Sequence, residues 1–242
     1  MRGFILGCWV MCCALLARGQ EAPGLMVLPD GGFAPQGAAF RVTFRFAEMK
    51  LVSKQTKEPL RILAASESAP RVTEWTSPQG GTVRLDLCCV ICPLGLSDVT
   101  LGGARLQLAN PTDHPLQVTL AVAIAPETAI HGLAFDRHAF SMEGRLVLVA
   151  DTPSRGAVLA DAPFAVRDLS PQDQGHVESA KGECRGEMLF DLTIEPGKAR
   201  TLGFLCPVKV PDGREPNLDF YRALSIDELF ASAKKGGPLL TK

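Results

Sequence analysis

Between Arg105 and Glu127 the chain reads RLQLANPTDHPLQVTLAVAIAPE, and this stretch restricts the possible folds more than any other. Leu106 and Leu108 alternate with Gln107 and Ala109, and after a break Leu116, Val118, Leu120, Val122 and Ile124 alternate with Gln117, Thr119, Ala121 and Ala123. A period of two is that of a β-strand with one buried face. Asn110-Pro111-Thr112-Asp113-His114-Pro115 separates the runs, and its two prolines lack the N–H that a sheet interior requires. The expectation is a hairpin. Its apolar face has to be covered by a second sheet or a helix layer.

The same period recurs along the chain. Phe40, Val42, Phe44 and Phe46 alternate with Arg41, Thr43 and Arg45, and further strands are expected over 49–54, 60–65, 82–91, 140–142, 146–150, 156–159, 164–167, 187–194 and 200–206. Glu143-Gly144-Arg145 joins two of them. Many short strands with no helical pattern between them favour antiparallel pairing, so the expected class is all-β, a large antiparallel β-sandwich of about twelve strands with a short C-terminal helix. That helix starts at Ser225, with Glu228 able to reach back to it, and places Ile226, Leu229, Phe230 and Ala233 on one face before Gly236-Gly237-Pro238. Leu218, Tyr221 and Leu224 suggest a shorter turn of helix ahead of it. The apolar stripe must dock either on the sandwich or on a domain that follows.

The N-terminus obeys different rules. Arg2 precedes an apolar run from Phe4 to Leu16, and Ala17-Arg18-Gly19 ends it with small residues at the two positions a signal peptidase reads. The run is shorter than the ~20 residues needed to span a bilayer, so residues 1–19 are expected to be a cleaved signal peptide rather than an anchor. Cys8 comes too early, and Gln20 stands where a lipidated Cys would be. The expected organisation is a leader over 1–19, a β-sandwich over 20–216, and a helical extension or linker over 217–242. The mature chain would be exported, periplasmic or extracellular, with no membrane span. Loss of Arg2 and Arg18 moves the formal net charge from −1 to −3, and no basic face or tail points to nucleic acid.

Five cysteines remain beyond the leader: Cys88, Cys89, Cys92, Cys184 and Cys206. Cys89-Val-Ile-Cys92 has the spacing of a zinc knuckle, but Cys184 and Cys206 do not form a second such pair. An oxidising compartment suggests disulfides instead. A hairpin around Glu195-Pro196-Gly197 would pair Phe190 with Phe204 and set Cys206 opposite Met188, leaving Cys184 out of bridging reach. An odd count leaves one thiol free in any case, and free Cys often packs as a small apolar residue. His131, Asp136 and His138 are types that bind a divalent metal, and the same residues equally suit a solvated hairpin. His114 falls in a turn and His176 in a polar loop spanning 170–183. Trp75 is the one aromatic expected on a loop, where it could touch a ligand or cap the core. Beyond residues 1–19, with Trp75 and Tyr221 alone beside the phenylalanines, there is little to build a flat sugar-binding platform. No serine elbow, phosphate loop or dinucleotide fingerprint is present, so no catalytic residue and no cofactor is assigned.

The run Leu106–Glu127, the following Ile130–Phe135, and Leu192–Phe204 with its Pro-Gly turn resemble the large bacterial β-sandwiches that precede helical-barrel glycosidase domains. The exit Leu218–Leu224 is similar to the linker leading into such a barrel. In that family the catalytic carboxylates lie mainly on the barrel. The resemblance therefore implies a non-catalytic accessory or structural module of a carbohydrate-active protein, with a helical catalytic domain, another protein or a polysaccharide as partner. The alternative is a stand-alone extracellular or envelope module with Ig-like strands used for protein contact, and behind it a metal-dependent enzyme using His131, Asp136 and His138. An apolar face left bare around the C-terminal helix would favour the first; a helix packed onto its own sheets would favour the second.

Overall fold

The computed structural model describes residues 24–28, 32–46, 61–63, 71–76, 81–94, 97–161, 171–211 and 215–235. The leader expected over 1–19 and the strands expected over 49–54 and 164–167 lie outside these residues. The chain is an all-β sandwich with two short C-terminal helices. Its strands are β1 (Leu25–Val27), β2 (Phe33–Pro35), β3 (Phe40–Phe46), β4 (Arg61–Leu63), β5 (Arg71–Thr76), β6 (Thr82–Leu94), β7 (Ser97–Ala109), β8 (Leu116–Pro126), β9 (Gly132–Asp136), β10 (Ala139–Met142), β11 (Arg145–Ala150), β12 (Gly156–Ala160), β13 (Gln174–Glu178), β14 (Arg185–Ile194) and β15 (Ala199–Lys209). Helices α1 (Leu218–Ala223) and α2 (Ile226–Lys235) follow. One sheet runs β1-β2-β3-β8-β14-β12 and the other β13-β9-β10-β11-β15-β7-β6-β5-β4, with the strand pairs antiparallel. Among the described residues no helix is long and apolar enough to cross a membrane.

The segment Arg105–Glu127 is not a hairpin. β7 lies in the larger sheet and β8 in the smaller one, so Asn110–Pro115 is an arch that carries the chain from one sheet to the other. The turn after β14 is a second arch, since β14 belongs to the smaller sheet and β15 to the larger. Alternation specifies which side chains point to the core, and it is the same whether the next strand pairs alongside or crosses the core. Phe190 and Phe204 do meet, edge to face with ring centroids 5.9 Å apart, but through the interior rather than across a ladder. Phe44 joins them, 5.8 Å from Phe204. The inward residues of β8, from Leu116 to Ile124, pack against Leu106, Leu108 and Leu202 from the opposite sheet in one core.

Asn110 ties the two arches together. It is 1% exposed, and every polar atom is satisfied. Its N–H donates to the Lys198 carbonyl and its own carbonyl accepts from Gly197 N–H, each at 2.8 Å. Its Nδ2 donates to the carbonyls of His114 and Ile194, and its Oδ1 accepts from the N–H and hydroxyl of Thr112. Buried polar groups in this position are tolerated only when fully paired. On another side the sandwich is closed by the reciprocal backbone bonds of Ala157, on β12, with Gln172, just ahead of β13. The expected β10–β11 hairpin is present, and its two-residue turn places Glu143 at φ 51° and Gly144 at φ 79°, the signs that match strand twist.

The helices cover the outer face of the larger sheet over β6, β7, β11 and β15. Tyr221, Leu229 and Phe230 are almost wholly buried against Cys88, Val90, Leu101 and Leu205. At ~1.5–3 kcal/mol for each large apolar side chain, this second cluster holds α1 and α2 firmly. Close approach depends on Gly103, where a Cβ would collide with Leu229 Cδ2 and lie 2.9 Å from Cys88 Sγ. Arg105 locks the arrangement, with its guanidinium 4.5 Å from the Phe230 ring centre and bonds to Asp86 at 2.8 Å and Asp227 at 3.3 Å. Asn217 caps α1 by accepting from Phe220 N–H, and Ser225 accepts from Glu228 N–H ahead of α2.

Replacing Asn110 by Ala removes four side-chain hydrogen bonds from a buried junction, among them the one to the Ile194 carbonyl. Urea unfolding of N110A is expected to show a loss of about 3 kcal/mol, and a change within ~0.5 kcal/mol would contradict the role given to this residue.

Candidate functional site

Apart from Asp136 at its end, the outward residues of β9 are small, Gly132 and Ala134, while Leu133 and Phe135 point to the core. On one side β13 sets His176 opposite Ala134 and Glu178 opposite Gly132. On the other, β10 sets Ser141 opposite Ala134, and Glu143 N–H donates to the Gly132 carbonyl at 3.1 Å. A floor of small residues between rows of longer polar ones makes an open cleft of about 550 Å³, completed by His131 and Ser179. The cleft lies on the outer face, at the β13 edge of the larger sheet.

Its polar atoms are held by the backbone. Oε1 of Glu143 accepts from the N–H of His131 at 2.9 Å and of Gly132 at 2.8 Å, which anchors a side chain rising from a left-handed turn position. His131 Nδ1 is 2.9 Å from the Ser179 carbonyl. A carbonyl oxygen only accepts, so Nδ1 donates to it, and in the neutral imidazole Nε2 is the acceptor. His176 Nε2 faces Glu178 Oε1 at 3.2 Å.

Of the metal candidates, only His131 belongs to this cleft. His131 precedes β9 and Asp136 ends it, so the two are separated by ~17 Å of extended chain at ~3.4 Å per residue. His138 lies in the turn beyond Asp136, where its carbonyl accepts from Ala150 N–H. Among the described residues no three His, Cys, Asp or Glu side chains are placed to hold a metal. His176, expected in a loop, is on strand β13, and Trp75, expected on a loop, is on strand β5 opposite Val83. Glu143, Glu178 and Ser141 were not singled out by sequence. The visible signal was the shared parity of His176 and Glu178 beside a two-residue Glu-Gly turn, and it carries meaning only once β13 and β10 are known to flank β9.

The five cysteines are free thiols scattered over separate environments. Cys88 and Cys92 lie under the helices, whereas Cys89 and Cys206 oppose Gly102 from either side of β7. Cys184 donates to the His131 carbonyl and Cys206 to the Val147 carbonyl. Cys206 and Met188 are not a cross-strand pair, because β14 and β15 are in different sheets. A zinc set drawn from Cys89, Cys92, Cys184 and Cys206 is thus not assembled.

A second polar cleft, of about 410 Å³, holds Arg84, Asp86, Arg105 and Asp227. Its central carboxylate, Asp86, has one oxygen taken by Arg84 Nε and the other by Arg105. That network fastens the helix to the sheet. The larger, acceptor-lined cleft on a rigid floor is therefore the candidate binding site of this two-sheet sandwich. No known protein-family profile matches the chain, and no curated protein matches it in sequence.

Burial pushes all five thiols above their ordinary range, Cys89 up to about 11. A rise from 9.0 to about 11 cuts the Cys89 thiolate fraction at pH 8 by ~100-fold. Native-state alkylation at pH 8 is expected to be at least that much slower than in denaturant for Cys89, and rapid native labelling would contradict it.

Proposed function

We propose that the chain is an exported, non-catalytic β-sandwich module that works by protein contact. The observation that carries this reading is the closure of α2 on its own sheet. Leu229 and Phe230 are buried there, while Asp227, Glu228, Lys234 and Lys235 face solvent. An accessory domain waiting for a helical barrel needs a bare apolar surface at this exit. A charged outward face supports a helix that completes the core of its own domain. The apolar leader over 1–19 supports export, and the scarcity of Trp and Tyr supports protein over glycan as the partner.

Service to a carbohydrate-active protein is the second reading, and it rests on the resemblance of 106–127 and 218–224 to sandwiches of that kind. The separation of His131 from Asp136 and His138 weighs against a metal-dependent enzyme. Affinity electrophoresis of the exported product through gels cast with soluble polysaccharides separates the first two. Unchanged mobility in every gel is the expected result, and retardation by any polysaccharide would replace protein contact with glycan recognition.

A further inference from the structure

We infer that the cleft over Gly132 and Ala134 receives a basic side chain, lysine or arginine, presented by a protein partner; this rests on the reading of the chain as a protein-contact module. The first argument is charge. Glu143 and Glu178 both border the cleft, and among the described residues no Lys or Arg lines it. The second is the kind of atom on offer. Glu143 Oε1 is taken up by two backbone N–H groups, which leaves Oε2 over the floor, 3.5 Å from where a Cβ on Gly132 would stand. Glu178 keeps a carboxylate that is 82% exposed beside His176, and His131 presents Nε2 as an acceptor. Acceptors of this kind call for a ligand that brings donors, and a cation brings the strongest hydrogen bonds to carboxylates.

Shape gives the third argument. A long aliphatic stem needs a smooth floor to lie on, which Gly132 and Ala134 provide between the polar rows. The floor is strand and the Glu143 wall is a tight turn, so the acceptors are held in place before binding. The site is also within reach, because β13 is the outermost strand of its sheet and a partner approaches from the open side.

The test is NMR titration of the exported product of the full-length chain with acetyl-Gly-Arg-Gly-amide and acetyl-Gly-Lys-Gly-amide. The control peptide carries citrulline in place of arginine, which keeps the shape and removes the charge. Saturable shifts of the Gly132, Ala134 and His176 amides with both basic peptides are expected, with at least ten-fold weaker binding of citrulline. Glu178→Gln and, as a second variant at the same exposed position, Glu178→Ser should each weaken the basic peptides at least ten-fold. Absence of saturable shifts, equal binding of citrulline, or indifference to both variants overturns the inference. So does tight binding of zinc chloride alone at the same amides, which would make the cleft a metal site. Failure here with unretarded migration in polysaccharide gels removes the cleft proposal alone, whereas retardation in those gels removes the protein-contact reading beneath it.

Discussion

The larger sheet is packed on both faces at Gly102-Gly103, and the rest of the molecule is arranged around that constraint. On the inner side a Cβ at Gly102 would stand 2.8 Å from the Leu25 side chain, so β1 of the opposite sheet seats directly on the backbone. On the outer side Leu229 of α2 does the same at Gly103. Two neighbouring glycines thus bring one strand of the sheet into contact with a layer above and a layer below. Side chains at both positions would hold those layers apart. Interiors pack too tightly for such gaps to go unfelt.

This arrangement explains the two helices that follow β15. A sheet whose outer face carries Cys88, Val90, Leu101 and Leu205 requires a cover, and α1 and α2 supply it. Arg105 sits at the border between that apolar patch and the polar upper half of the same face, which is why one guanidinium meets an aromatic ring, a buried carboxylate and an exposed one. Farther along the sheet the outer face turns polar and concave at β9, flanked by β13 and β10. The stable part of the fold and the candidate binding cleft share one sheet, and the helices leave the cleft open.

Much of this architecture was legible in the residues. The period of two in Phe40–Phe46 and Leu116–Ile124 identified strands and their inward faces, and the stripe of Ile226, Leu229 and Phe230 identified the helix. Which sheet each strand joins was not legible. Asn110 decides that through bonds to residues 84 to 88 positions away, and no local pattern encodes such partners. Strands β1, β2, β5, β9 and β13 were not among those expected, because none carries a run of alternating large apolar and polar residues as long as that of Phe40–Phe46. The cleft was half visible: His131 stood out by type, but Glu143 and Glu178 acquire meaning only from their cross-strand register with Gly132.

The central claim is that the C-terminal helix and the sandwich are one cooperative body. Amide hydrogen exchange of the protein tests it directly, by comparing Leu229 and Phe230 in α2 with Leu120 and Phe204 in the core. The account predicts that the helix amides open only with the core, within ~1 kcal/mol of its opening free energy. Helix amides that exchange with little protection while the core stays closed would contradict it, and would return α2 to the role of a linker awaiting another domain.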